Sequence, residues 1–138
     1  MPGMIELVRQ SVRFGVVGVV NTSIGLAAIY ALMFFGHASA ASANAVGYTI
    51  GLAVSFALNR SWTFQSTQPV RRVLPRYVLI AGVCYLLNLG VVLLCIRTLH
   101  LNAYLAQFLG VGIYTSCMFL SCRWFVFAAC RVPTKHST

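Results

Sequence analysis

The sequence predicts an all-α integral membrane protein, with four transmembrane helices arranged as two helical hairpins in parallel repeat. Three observations predict it. The 138-residue chain is 59% hydrophobic and 8% charged, with a mean hydropathy of +0.85, whereas a soluble domain carries roughly a quarter charged residues. Its apolar residues gather in four long runs. The stretch from Phe56 through Asn59-Arg60-Ser61-Trp62-Thr63 to Phe64 returns, loosened, from Phe119 to Phe127, 63 positions further on.

The first run, Phe14 to Phe35, holds no charge. At 1.5 Å per residue it crosses a hydrocarbon core of roughly 30 Å. Ala38-Ser39-Ala40 imitates a signal-peptide cleavage site, but the run is longer than the about 7–15 apolar residues of such a signal. Residues 36–39 read as a short loop and residues 40–58 as the second span. Residues 59–76, with Pro69, Arg71, Arg72 and Pro75, read as the one polar connection of any length. The third span covers 77–96, a turn follows over 97–101, and the fourth span covers 102–122 before a basic tail. Backbone groups in hydrocarbon must be satisfied within their own segment, so each run reads as a helix. The period-2 alternation of a membrane barrel is absent.

At the same offset of 63, Arg13-Phe14 meets Arg76-Tyr77, Asn44 meets Gln107, and Gly47 meets Gly110. Each half holds two spans, so both halves have the same orientation and form one transmembrane domain over residues 1–138. Nine Lys and Arg fall on one side of this four-span arrangement, and Arg97 alone falls on the other. The positive-inside bias therefore predicts cytoplasmic N and C termini, with Trp62 and Trp124 at the cytoplasmic interface.

The net charge of +9 does not indicate nucleic acid. Its cations sit at the ends of apolar runs and fit an anionic lipid surface or an anionic lipid substrate. The five cysteines are an odd number without a C-x-x-C pair, and most lie in apolar runs, where free Cys acts as a small hydrophobe. The three histidines have no metal-ligand spacing. Glu6 is the only acidic residue and precedes the first span. General acid–base catalysis thus has almost no candidates, and the chain does not read as an enzyme or call for a cofactor.

Polar residues inside the runs carry the functional reading. In the second span Asn44, Gly47, Tyr48, Gly51 and Ser55 follow helical spacing. Gly47 and Gly51 make a G-x-x-x-G pattern suited to close helix packing. In the first span Gly18, Thr22 and Gly25 share a small-residue face beside Asn21. Asn21, Asn44, Asn88 and Gln107 place one amide in each span. They line a common polar cleft or make interhelical hydrogen bonds, and spacing does not choose between the two. Arg60 and Arg123 end the second and fourth helices. They either snorkel to the interface as topology anchors or grip phosphate with a guanidinium fork.

Arg13-Phe14-x-x-x-Gly18-x-x-Asn21-Thr22, Ala43-Asn44-x-x-Gly47-Tyr48 and Phe56-x-x-Asn59-Arg60-x-Trp62-x-Phe64 resemble the GtrA family, and the resemblance spans roughly residues 10–128. Two positions depart from it: Cys122 stands where an amide or basic residue is expected, and Gln107 where a basic residue is common. The resemblance implies a small four-span protein of the cell inner (cytoplasmic) membrane, associated with cell-surface polysaccharide synthesis. It implies a flippase for a polyprenyl-phosphate-linked sugar such as an undecaprenyl phosphate conjugate, working beside a membrane glycosyltransferase. Arg13, Asn21, Asn44, Asn59, Arg60, Asn88, Gln107 and Arg123 are then the candidate substrate-binding residues, and a homodimer would enlarge the wall around a large lipid. A competing reading is a non-transporting partner that anchors the glycosyltransferase. A proton-coupled drug exporter fits poorly, because that chemistry needs a carboxylate within the membrane.

Overall fold

The structure, a computed structural model, describes residues 2–128. Cys130, Arg131, Lys135 and His136 of the basic tail lie outside the described residues. The elements are α1 (Pro2–Phe34), α2 (Ala40–Leu58), a π-helical turn (Asn59–Thr63), α3 (Val70–Arg97), α4 (Ala103–Ser121) and a second π-helical turn (Cys122–Val126). All four long helices have the length and hydropathy to cross a membrane. No strand occurs among the described residues. The protein is a multi-pass membrane protein.

The chain divides into two compact units, Met1–Gln65 and Ser66–Thr138. In the first, α1 packs against α2 and the π-turn that follows it. In the second, α3 packs against α4 and its π-turn. The two units repeat each other locally at the offset of 63, down to the π-turns, the N-caps at Ser39 and Asn102, and the hairpin turns. In those turns the Ala38 N–H reaches the Leu32 carbonyl at 3.1 Å, and the Leu101 N–H reaches Cys95 at 3.0 Å. His37 and His100 take positive φ there, 48° and 51°.

Three boundaries differ from expectation. Helix α1 begins twelve residues before Phe14, because nothing in that stretch breaks a helix. Glu6 accepts from Arg9 and, at 2.9 Å, from the Gln10 amide, contacts that residues three and four apart make on a helix. Helix α3 begins at Val70 and runs through Pro75. The proline is only one turn inside the helix and exposed, so water can reach the carbonyl that its ring leaves unbonded. Val73 and Tyr77 are buried on that first stretch, and their packing outweighs Arg71 and Arg72, whose charges oppose the positive end of the helix dipole. The polar connection thus shrinks from the expected 59–76 to residues 64–69.

Packing within the first unit rests on the glycines of α2. A Cβ on Gly47 would come within 2.9 Å of the Gly25 carbonyl, and one on Gly51 within 2.6 Å of the Asn21 amide oxygen. The G-x-x-x-G reading as close helix packing therefore holds. The small-residue face of α1 does not lie as expected. Gly25 is buried, but Gly18 and Thr22 are exposed, and the buried side of α1 carries Phe14 and Val17 instead. Likewise Asn44 and Tyr48 turn away from the side of α2 that buries Gly47 and Gly51.

Candidate functional site: the basic helix ends

Each unit gathers its arginines at the end where the π-turn lies, with Arg97 at the opposite end of α3. In the first unit, the Phe64 N–H closes the turn on the Asn59 carbonyl at 2.9 Å. Asn59 is 1% exposed. Its amide nitrogen donates to Ser55 Oγ at 3.2 Å, and its amide oxygen accepts from Thr63 Oγ1 at 3.0 Å. This ladder of residues four apart braces the turn from inside.

Arg13 braces it from α1. Its Nη1 donates to the Trp62 carbonyl at 2.9 Å, and its guanidinium carbon stands 5.2 Å from the centroid of the Trp62 ring. The Trp62 carbonyl is near the helix end, where the backbone supplies no donor for it and a cation is favoured. Phe14, next to Arg13, meets Phe64 edge-on at 6.2 Å. Arg60 lies half-buried within the turn itself.

The second unit repeats the plan with different chemistry. Phe127 N–H closes on Cys122 at 2.9 Å, and Tyr77 meets Phe127 at 6.0 Å. The Arg76 guanidinium lies 5.5 Å from the Phe125 ring centroid, and Arg123 is half-buried in the turn. Met118, Cys122 and Val126, all buried, occupy the places of Ser55, Asn59 and Thr63. Gln68 Nε2 donates to the Ala128 carbonyl just past the turn.

The remaining candidates are dispersed. The buried Asn21 amide oxygen faces Gly51 in the α1–α2 contact, and that of Asn88 faces Gly110 in the α3–α4 contact. Neither oxygen has a hydrogen-bond partner among the described residues. Each sits where a Cβ would be, against the glycine Cα–H, a weak donor. Asn44 is exposed, with its amide nitrogen on the Ala40 carbonyl of its own helix at 2.8 Å, and Gln107 is exposed on α4. Within the first unit Arg13, Asn59 and Arg60 therefore meet at one π-turn, whereas Asn21 and Asn44 stand apart from it. In the second unit Arg123 is at the turn, and Asn88 and Gln107 are not.

The role of Thr63 and the Arg13–Trp62 contact are not evident from the sequence. The offset of 63 is the available signal, since it sets Arg76 and Phe125 where Arg13 and Trp62 stand. It also pairs Trp62 with Phe125 rather than with Trp124.

The fold and this repeated basic end define a four-helix, multi-pass membrane protein built from two similar hairpins. The family model for the GtrA/DPMS transmembrane domain matches residues 13–127, and the chain belongs to that family. No curated protein and no solved structure matches it.

Proposed function

We propose that the protein moves a polyprenyl-phosphate-linked sugar across the cytoplasmic membrane for cell-surface polysaccharide synthesis or modification, beside a membrane glycosyltransferase. Membership of the GtrA/DPMS family supports this reading. The observation that carries it is the repeated basic end, where Arg60 and Arg123 each sit half-buried in a π-turn and Arg13 and Arg76 lie over the aromatic rings of those turns. Such turns are frequent at functional sites. A sugar phosphodiester lipid bears one negative charge, which a guanidinium fork matches, on a tail that stays in hydrocarbon. The protein itself is non-catalytic, and both of its termini are cytoplasmic. Movement is facilitated: synthesis of the sugar lipid on one face and its use on the other supply the direction, because a conformational equilibrium shifts only through differential binding.

Flux of a fluorescent polyprenyl-phosphate sugar in reconstituted vesicles, with head-group binding, tests this. Arg60→Lys is expected to insert normally yet lose roughly ten- to a hundredfold in affinity, the loss of one charge-assisted hydrogen bond. Arg97→Lys is expected to behave as wild type, and flux is expected without a pH gradient. Wild-type flux in Arg60→Lys would reduce Arg60 to an anchor. One feature favours the anchoring role instead: α1 extends past the apolar run with Ile5, Val8 and Val12 exposed at helical spacing. On that reading the sugar lipid keeps its transbilayer distribution while the glycosyltransferase still co-purifies.

A further inference from the structure

Helix α2 carries no charge from Ala40 to Leu58, yet one of its faces is polar. Asn44, Tyr48 and Ser55 stand at i, i+4 and i+11, within about 40° of one another around the helix axis. Asn44 and Tyr48 are exposed, and Ser55 is half-buried. The Asn44 amide nitrogen donates to the Ala40 carbonyl at 2.8 Å, so its oxygen remains to accept from outside the helix. Tyr48 is 75% exposed, and its hydroxyl has no hydrogen-bond partner among the described residues. It lies eight residues, about 12 Å, inside the start of α2. That is deeper than an interfacial ring, a place that Phe34 and Phe35 already fill at that end. Polar atoms facing hydrocarbon are costly unless paired, so this face calls for a polar partner.

At its other end the face runs into the basic π-turn. Ser55 Oγ accepts from the Asn59 amide nitrogen at 3.2 Å, and Arg60 follows within the turn. From Asn44 to Arg60 the track rises about 24 Å, most of a hydrocarbon core of roughly 30 Å. The places 63 positions further on hold Gln107, Val111 and Met118, so α4 does not repeat it. We propose that this face of α2 is a sugar-recognition track, on which the hydroxyls of the lipid's head group pair with Ser55, Tyr48 and Asn44 while the tail stays in hydrocarbon. The chemistry selects the occupant. Uncharged hydroxyl and amide groups suit a neutral polyhydroxyl head, and one guanidinium at the loading end suits one phosphate. The track rests on the lipid-linked sugar reading above.

Two probes in reconstituted vesicles test it: polyprenyl phosphate alone, and polyprenyl-phosphate glucose carrying a photoreactive diazirine on the sugar. Cross-links are expected at Asn44, Tyr48 and Ser55. They are not expected at Val46 and Ile50, exposed at similar depths on the other side of the Gly47–Gly51 contact. Tyr48→Phe and Asn44→Leu are each expected to weaken binding of the sugar probe about three- to tenfold, the loss of one neutral hydrogen bond. Binding of polyprenyl phosphate is expected to stay unchanged in both, whereas Arg60→Lys weakens both probes. Equal labelling at Val46 and Ile50, or wild-type binding of the sugar probe in both track variants, would overturn the track and leave the transport reading standing. In a variant without native cysteines, an intermolecular disulfide through Tyr48→Cys that forms with or without sugar lipid would make this face an interface between copies instead. A wild type that binds neither probe would remove the transport reading and the track with it.

Discussion

Single atoms decide how closely the helices of each unit approach. A Cβ on Gly110 would lie 2.2 Å from the Asn88 amide oxygen and 2.6 Å from Val92 Cγ2, and one on Gly47 would meet the Gly25 backbone at 2.9 Å. The backbone contact cannot be relieved by turning a side chain. Gly47→Ala and Gly110→Ala are therefore expected to lower stability by about 1–3 kcal/mol, the usual effect of overpacking. Gly82 and Gly112 have nothing within 4 Å of such a Cβ. Their replacement by Ala is expected to be neutral or stabilising by about 0.5–1 kcal/mol. Denaturation in mixed micelles checks all four variants. Asn88→Ser is expected to recover part of the loss in Gly110→Ala, because it shortens the side chain in the way; a loss of the same size with and without it would show that the amide is not the obstacle.

At the scale of elements, the hairpin turns are what make α1–α2 and α3–α4 antiparallel neighbours. Each turn passes through one residue in the left-handed region, His37 or His100, and then reaches an N-cap. Ser39 Oγ accepts the Ser42 N–H at 3.3 Å, and Asn102 Oδ1 accepts the Tyr104 N–H at 2.8 Å. Neither turn uses glycine at the left-handed position, and histidine tolerates that region better than most residues. A β-branched side chain does not. His37→Val and His100→Val are each expected to cost about 1–2 kcal/mol, while His37→Gly is expected to be tolerated. Unfolding midpoints of the three variants check this, and an unchanged midpoint in both valine variants would mean the turns adopt another path.

For the whole molecule, the positive-inside bias predicts the orientation. Among the described residues Arg60 lies at the π-turn of the first unit, and Arg71, Arg72, Arg76 and Arg123 lie at the end of the second unit opposite Arg97. In a variant lacking native cysteines, His37→Cys is expected to react with an impermeant thiol reagent added outside the cell. Gln68→Cys is expected to react only after the membrane is opened. The reverse pattern would invert the topology. Both positions are suitable because they lie between helices rather than within a span.

Hydropathy and charge by themselves determined the number of spans, the hairpin pairs and the repeat, because a bilayer permits few ways to satisfy a backbone. The motif ending at Phe64 was also legible, as was the family resemblance that the match over residues 13–127 bears out. The ends of the helices were not legible. Pro75 and two arginines argue locally against a helix start at Val70, and only the burial of Val73 and Tyr77 reverses that preference. Nor were the roles of the polar residues legible. Spacing gave Asn21, Asn44, Asn88 and Gln107 equal standing as amides in a membrane, and the family resemblance added Asn59. Packing separated them: Asn59 went into a buried ladder, Asn21 and Asn88 into helix contacts, and Asn44 and Gln107 to exposed faces. An amide's chemistry depends on which partners stand within about 3 Å of it, and those partners come from residues four positions away or from the neighbouring helix, whose approach only the folded hairpin decides.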